Sequence, residues 1–367
     1  MAALVVGSSS ILGSDAGNQA APWRLIPSAP IKIDSGLTSV WTGKEMIVSG
    51  LTASHDGTLL GAVEVAAAYD PATNAWSSLP SPPRIEAYCR RSGVWTGKEM
   101  IVSGCGHVAY NPQTNRWRRL PPAPVGAFGL AVWSGRELIG WGGGCCGDAY
   151  ADGAAYDPAR DTWRKLARSP LAPSQSPVGT WTGRELIIFV SGLDPEGKAL
   201  SGAARAAAYN PATDTWRRLA TPPAPRSVAV WSGHEVLLVG GADEAGAGAE
   251  VGYAYDPATN RWRSLAAMRS RHPQAVAAWT GGQLLLFGGE TTANALLAYD
   301  PERNRWSSLP NAPLRERVSP AVVWTGRELV VWGGVIGTPA GTSIAPEHPA
   351  DGSAFDPTFN LCCRGAQ

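Results

Sequence analysis

Trp95-Thr-Gly-Lys-Glu-Met-Ile-Val-Ser-Gly104 is followed a few residues later by Ala109-Tyr-Asn-Pro-Gln-Thr-Asn-Arg-Trp-Arg-Arg-Leu-Pro121. Versions of both halves recur along the chain. The first half begins with a tryptophan at Trp41, Trp95, Trp133, Trp181, Trp231, Trp279 and Trp324. The second half ends in a tryptophan at Trp76, Trp117, Trp163, Trp216, Trp262 and Trp306. A period of about 40 to 50 residues with this internal pattern is typical of repeat arrays.

The unit from Val94 to Pro121 predicts four short strands. The first ends at Trp95, and Thr96-Gly97-Lys98 forms a tight turn. A second turn falls at Asn111–Asn115, where proline and asparagine suit the turn positions. The apolar second strand is typical of one buried on both faces. The later strands are expected at Glu99–Ser103, Val108–Tyr110 and Trp117–Leu120. Four antiparallel strands joined in this way form one twisted propeller blade.

The two chain ends together predict how the ring closes. The seventh and last repeat, which begins at Trp324, has no proper fourth strand, because Cys362 stands where the other repeats have tryptophan. The segment from Trp23 to Pro27 is a fourth strand without a blade. Filling the place of a buried tryptophan with cysteine would cost about 3–5 kcal/mol, whereas closure from the N-terminus leaves no open sheet edge. We therefore predict an all-β, seven-bladed β-propeller of four-stranded antiparallel blades, its ring closed by the N-terminal strand around Trp23.

A glycine pair, then an aromatic residue, then a tryptophan at fixed spacing is a pattern that resembles kelch repeats. The tyrosine stands seven residues before the tryptophan in six units, as in Tyr110 and Trp117. The glycine pair is complete at Gly240-Gly241, Gly288-Gly289 and Gly333-Gly334. Over residues 22–360 the chain is similar to bacterial kelch-type propellers of the galactose oxidase-like superfamily. This resemblance implies the fold and leaves the function open.

Composition bounds the domain organisation and the partners. The chain has 367 residues, 17% of them charged, and a formal net charge of +1. This balance gives no electrostatic case for nucleic acid. Residues 1–20 form a leader-like or disordered extension, residues 21–360 the propeller and residues 361–367 a tail. The leader-like start and the even cysteine count favour an exported protein, periplasmic, cell-surface or secreted. We expect a monomer without a transmembrane segment.

Residues that recur in every blade are interpreted as structural. Equivalent glutamates stand in the turn between the first and second strands at Glu45, Glu99, Glu137, Glu185, Glu235 and Glu328. Equivalent carboxylates around a ring do not form one catalytic site. Function is therefore expected where the repeats differ, in the loops after the glycine pair and the loops that link blades.

Basic residues precede the first strands of several blades. They are Arg84, Arg90, Arg91, Arg226, Arg271, His272, Arg315 and Arg317. Because first strands surround the central channel, these side chains are candidates to line its mouth and bind an anionic or carbohydrate ligand. The alternative is that they are solvated loop charges.

A second candidate site is a notch in the loops of the second and third blades. Only three residues separate Gly104 from Val108, so a gap is expected between longer neighbouring loops. The residues predicted around it are Cys89, Cys105, His107, Cys145 and Cys146. Disulfides, free buried thiols and a copper or zinc site are the three interpretations. Cys362 and Cys363 are expected on the opposite face.

Two classes of function follow. The first is a non-catalytic module that binds a ligand or a protein on the variable loops and the channel mouth. The second is an enzyme with its site at that mouth, for which the resemblance to kelch propellers implies copper oxidases, iron-dependent nitrile-specifier proteins or sialate mutarotases. The adjacent Tyr88 and Cys89 are not the cross-link of the copper enzymes, and the iron motif is absent. A mutarotase-like role needs only an arginine and a carboxylate. No catalytic residue is assigned.

Overall fold

Seven antiparallel sheets of four strands account for the regular structure of the described residues. The structure is a computed structural model, which describes residues 22–54, 61–85, 90–144, 147–191, 205–224, 228–240, 251–268, 272, 275–289, 294–337 and 346–358. Among these residues no helix is long and apolar enough to span a membrane. The predicted all-β propeller with seven blades is confirmed.

The first strand of each blade is the innermost. These strands are β2 (Ser35–Trp41), β6 (Ser92–Trp95), β10 (Leu130–Trp133), β14 (Val178–Trp181), β18 (Val228–Trp231), β22 (Val276–Trp279) and β26 (Ala321–Trp324). Each contacts the first strands of both neighbouring blades, and the contact between β26 and β2 completes the circle. The first strands therefore surround the axis of a closed ring.

The second and third strands carry the core. The second strands are β3 (Met46–Thr52), β7 (Met100–Ser103), β11 (Leu138–Trp141), β15 (Leu186–Phe189), β19 (Val236–Val239), β23 (Leu284–Phe287) and β27 (Leu329–Trp332). The third strands are β4 (Val63–Asp70), β8 (His107–Asn111), β12 (Gly153–Asp157), β16 (Ala206–Asn210), β20 (Tyr253–Asp256), β24 (Leu296–Asp300) and β28 (Gly352–Phe355). Their apolar side chains pack between neighbouring sheets, so the core is a set of clusters at the blade interfaces. Trp141 and Trp332 are fully buried in β11 and β27.

The fourth strands form the outer edge, and the seventh one comes from the start of the chain. They are β5 (Ala75–Ser78), β9 (Arg116–Arg119), β13 (Thr162–Lys165), β17 (Thr215–Arg218), β21 (Arg261–Ser264), β25 (Arg305–Leu309) and β1 (Trp23–Ile26). β1 pairs antiparallel with β28, and Trp23 lies opposite Phe355. The predicted closure by the N-terminal strand is confirmed.

The fourth-strand tryptophans fasten each blade to the one before it. The indole Nε1 of Trp163 donates to the carbonyl of Pro121, 2.8 Å away in the preceding blade link. Trp23 does the same to Pro310, at 2.7 Å, although 287 residues separate them. The closing strand thus makes the same inter-blade bond as the other fourth strands.

Five of the six recurring glutamates pair with an arginine of the fourth strand and are structural, as expected. Glu137 lies in the turn between β10 and β11, and its carboxylate accepts from Arg164 of β13 at 2.7 and 3.1 Å. Arg164 also donates to the hydroxyl of Tyr209 in the next blade, at 2.8 Å. Tyr209 in turn donates to Asp214, whose positive φ of 51° shapes the turn before β17. The network joins one blade to the next on the face that carries the uniform turns.

Candidate functional site

The propeller has two different faces. The turn face carries the uniform turns between first and second strands and between third and fourth strands. The variable-loop face carries the loops after the second strands and the links between blades. First strands begin at the variable-loop face, so residues just before them lie around the mouth of the channel. The sequence places both candidate sites on this face.

A cavity of about 520 Å³ opens at the mouth of the channel, where blades 7, 1 and 2 meet. We call it the mouth pocket. Its wall is made by the residues that precede β2, β6 and β26 and by the ends of two blade 7 strands. The lining residues are Ile33, Asp34, Ser35, Gly36, Leu37, Arg90, Arg91, Ser319, Gly334, Val335 and His348.

Arg91 is fixed in the wall of the mouth pocket. Its guanidinium makes a bidentate ion pair with Glu64 of β4, at 2.7 and 2.9 Å, and both side chains are almost fully buried. It also donates to the carbonyl of Ile85, and Glu64 accepts from the Ile85 amide. Gly36 lies against it with a φ of +65°, and a Cβ there would stand 2.8 Å from the arginine Cδ. Arg91 therefore ties blade 1 to blade 2 and shapes the pocket.

Arg90 is exposed and forms no ion pair within the described part of the chain. His348, half-buried, lines the same pocket from the loop before β28. Burial lowers the pKa of His348, the Asp34 carboxylate raises it and Lys32 lowers it, with a net direction downward. At neutral pH the imidazole is therefore an uncharged hydrogen-bonding group, and the exposed positive charge in the pocket lining belongs to Arg90.

Asp34 is held by its neighbours on one side of the pocket. Lys32 lies 2.7 Å from one oxygen, and the amide of Ala53 donates to the other at 2.8 Å. Thr52 adds a hydroxyl donor at 3.2 Å. Burial alone would raise the pKa of Asp34, but these donors lower it below its usual value. The pocket thus contains a stable carboxylate near His348.

The remaining basic candidates do not line the mouth pocket. Arg317 is buried and donates to Asp351 at 2.7 Å and to the carbonyls of Arg315 and Gly333, which locks the link into blade 7. Arg315 is exposed and pairs with Glu347 at 2.7 Å. Arg84 is exposed and does not line the mouth pocket.

His272 and two arginines complete the predicted basic set. His272 is fully buried, and its Nδ1 lies 2.8 Å from the carbonyl of Gly288. Burial lowers its pKa against the opposing effect of that hydrogen bond. Its contacts give it a structural role. Arg226 and Arg271 lie outside the described residues.

The notch predicted at the short loop of blade 2 is a cavity of about 560 Å³. Gly104, Cys105, Gly106 and His107 form one wall, and the link from blade 2 to blade 3 forms another. Tyr150 closes the far side, and it is among the few large apolar side chains that remain exposed in the described residues. The notch lies between blades 2 and 3, away from the mouth pocket.

His107 is packed rather than presented to ligands. Its ring packs against Phe128 and Trp163, with ring centroids 5.0 and 4.8 Å away, and those two rings also contact each other at 5.6 Å. Its Nδ1 is buried without a hydrogen-bond partner. Burial lowers the pKa of His107 to about 4, so the imidazole is neutral at physiological pH. The histidine acts as an aromatic filler between two blades.

Cys105 lines the notch. The other cysteines predicted around the notch, Cys89, Cys145 and Cys146, lie outside the described residues. Which of them meets Cys105 therefore stays a prediction. Cys362 and Cys363 of the tail also lie outside the described part.

The described residues do not bring together three side chains of the types that bind metals. His107 and His272 are packed in different blade interfaces, and His348 lies in the mouth pocket. These histidines do not fit a copper site with two histidines and two tyrosines.

Two carboxylates were not found by sequence reasoning: one lines the mouth pocket, and the other pairs with its lining residue Arg91. Glu64 is the one charged residue in the otherwise apolar β4 run Val63–Tyr69, and a charge inside a buried strand signals a buried partner. Asp34 stands directly before the first strand of blade 1, as Arg91 does before that of blade 2. Both carboxylates were missed because only basic residues were considered as candidates for the channel mouth.

Comparison with known proteins gives the fold and nothing finer. No family model matches the chain, and no curated protein matches it. Many solved structures match. One is a fungal alcohol oxidase of the AA5 family in complex with copper, with a TM-score of 0.65 and 13% sequence identity. The match covers 92% of this chain and 77% of that one. At this identity the likeness supports the propeller fold, while the kelch assignment stays a prediction.

Proposed function

We propose that this propeller is a binding protein that holds a small anionic ligand in the mouth pocket. The observation that carries the proposal is the exposed guanidinium of Arg90 at the edge of a cavity of about 520 Å³. Cavities of about 300–1,000 Å³ are the size that small-molecule ligands occupy. A guanidinium with no ion pair among the described residues suits a carboxylate on such a ligand, because its paired N–H groups match two carboxylate oxygens.

The rest of the pocket favours a ligand that also carries hydroxyl groups. The neutral imidazole of His348 can donate or accept a hydrogen bond, and Ser35 and Ser319 offer hydroxyls. Arg91 keeps the wall rigid because both terminal nitrogens of its guanidinium are already bonded to Glu64 and Ile85. A rigid wall reduces the entropy lost on binding. A sugar acid is the ligand class that meets these conditions.

Titration calorimetry tests the proposal. Glucuronate and N-acetylneuraminate are compared with glucose, which has the hydroxyls and lacks the carboxylate. We expect Arg90→Ala to weaken binding of the acids at least tenfold. Arg84→Ala is the matched control, since it removes an exposed arginine outside the pocket and should bind as the wild type does. Equal affinity for glucose and the acids, or no effect of Arg90→Ala, would overturn the proposal.

An enzymatic alternative rests on one arrangement in the same pocket. Asp34, His348 and Arg90 place a carboxylate, a neutral imidazole and a guanidinium around one cavity. Such a set would serve proton transfer on a bound sugar acid, as in the mutarotase-like interpretation. NMR exchange spectroscopy between the two anomers of N-acetylneuraminate tests it. Anomer exchange no faster than in buffer, at saturating ligand, would leave binding as the function.

A further inference from the structure

A guanidinium cradle repeats between blades on the turn face. In each copy a turn glutamate and a tyrosine hydroxyl of the next blade hold an arginine from the fourth strand, and the tyrosine also contacts an asparagine or aspartate of its own turn. The salt bridges to the glutamate are 2.5–2.8 Å long. The arginines are Arg24, Arg118, Arg164, Arg217 and Arg263.

The cradle between blades 1 and 2 has the same acceptors and no arginine. Glu45 stands in the turn of blade 1, and Tyr110 of blade 2 donates to Asn115 at 2.9 Å, as in the filled copies. The fourth-strand position that follows Trp76 is Ser77, a side chain too short to reach either acceptor. The chain therefore builds the cradle here, and none of the described residues supplies a guanidinium to fill it.

The carboxylate of Glu45 is more exposed than its five paired counterparts. The side chain of Glu45 is 27% exposed, whereas the five paired glutamates are 13–23% exposed. Its only ion-pair partner among the described residues is Lys44, at 3.5 Å, which is itself 75% exposed. An exposed lysine pair of this kind contributes little and is easily displaced.

Tyr110, the acceptor contributed by blade 2, also reflects the missing arginine. Its residue is 3% exposed, whereas the tyrosines of the filled cradles are fully buried. Burial and then the Glu45 carboxylate raise the pKa of Tyr110, while in the filled copies the arginine opposes such a rise. The phenol therefore faces a negative charge that no guanidinium among the described residues offsets.

The interface between blades 6 and 7 shows that the arginine can be lost together with its acceptors. There the turn residue is Gln283, the fourth-strand residue is Ser307 and the aromatic residue of the next blade is Phe355. Neither a carboxylate nor a phenol is left at that interface. At blades 1 and 2 only the arginine is replaced, so the acceptors remain as a preformed site.

We propose that the cradle of Glu45 and Tyr110 binds a guanidinium group supplied from outside the chain. The filled copies define the chemistry: in four of the five, as at Arg164, a planar cation donates two hydrogen bonds to the carboxylate, and it also contacts a phenol oxygen. The guanidinium belongs either to a small guanidino compound or to an arginine side chain of a polypeptide. This site lies on the turn face and does not depend on the mouth pocket.

Saturation-transfer NMR with free L-arginine tests the site on the full chain. We expect millimolar binding, since partly exposed ion pairs are weak, with signal on the arginine δ-CH₂ protons. Ser77→Arg fills the cradle and should remove at least four-fifths of this signal, and Glu45→Gln should do the same. Lysine should give no comparable signal. An unchanged arginine signal in both folded variants would overturn the proposal.

A matched variant creates a second cradle without an arginine, between blades 3 and 4. Arg164→Ser empties the cradle of Glu137 and Tyr209 and should about double the arginine signal. Failure to gain signal in that variant, with its fold intact by circular dichroism, would contradict the proposal. The peptide acetyl-Gly-Arg-Gly-amide distinguishes the sources. Binding at least tenfold tighter than free arginine indicates a polypeptide partner, and equal or weaker binding indicates a small guanidino compound.

Discussion

Arg24 donates to the carboxylate of Glu328 across 2.7 Å, although 304 residues separate the two in the chain. Arg24 also donates to the hydroxyl of Tyr69 in blade 1, at 2.8 Å. The N-terminal strand therefore belongs to blade 7 by its pairing and grips blade 1 by its side chain. This one strand therefore closes the ring by both its pairing and its side chain.

The first prediction concerns that strand. Deletion of residues 1–30 removes β1 and exposes the edge of β28, so we expect aggregation or a large loss of stability. Trp23→Ala alone should lower the free energy of unfolding by about 3–5 kcal/mol, because the indole is buried beside Phe355. Deletion of residues 361–367 is the control and should be mild in denaturant titrations. The reverse order of the two deletions would contradict the closure.

The buried ion pair of Arg91 and Glu64 gives a second prediction. Arg91→Ala leaves the Glu64 carboxylate buried without its cation, and we expect a loss of about 3–5 kcal/mol in chemical denaturation. Arg90→Ala, one residue away and exposed, should change stability by less than about 0.5 kcal/mol. Similar losses in the two variants would show that the pair does not hold the blades together.

The pH dependence of ligand binding is a third prediction. The pKa of His348 is lowered, so the imidazole gains its proton below the usual value of 6.5. The protonated form attracts a carboxylate, and affinity for a sugar acid should therefore rise as the pH falls below 6.5 and stay flat above it. Calorimetry on wild type and His348→Gln measures this. Persistence of the rise in the variant would assign it to another group.

His107 predicts an acid-sensitive stability. Its pKa is lowered to about 4 in the folded protein, against 6.5 in the unfolded chain, so the unfolded state binds the proton more readily. The contribution is complete above pH 6.5 and is lost as the pH falls toward 4, by about 2 kcal/mol at pH 5. His107→Phe keeps the packing and should remove this part of the pH dependence. His234→Phe, on an exposed turn, should leave it unchanged.

The cysteines around the notch carry the last prediction. We expect a disulfide, or a shared copper or zinc ion, that joins Cys105 to one of Cys89, Cys145 and Cys146. Peptide mapping under non-reducing conditions identifies a bridge, and metal analysis of the freshly purified protein identifies an ion. Cys362 and Cys363 should take no part. Four free thiols and no bound metal would leave the notch as a gap between loops.

The sequence by itself determined the strands, their number and the closure. Each of these depends on local patterns: the seven-residue spacing of Tyr110 and Trp117, the apolar second strands and the unpaired Trp23. Such patterns specify one hairpin at a time and recur in each repeat, so the strands can be predicted without knowing which distant residues are in contact. Closure of the ring is the one long-range feature. It could be predicted because the seventh blade lacked a fourth strand and the strand around Trp23 had no blade of its own.

The sites were decided by the tertiary structure. Arg90 and Arg91 are neighbours in sequence, yet one is exposed in the mouth pocket and the other is buried against Glu64. The difference arises because the ring brings the start of β6 against β4 of another blade, and only one of two consecutive side chains can point toward that strand. In the same way, Ser77 is an ordinary serine in the sequence. It becomes a vacancy only because the ring sets Glu45 and Tyr110 of neighbouring blades around the place where five other blades hold an arginine.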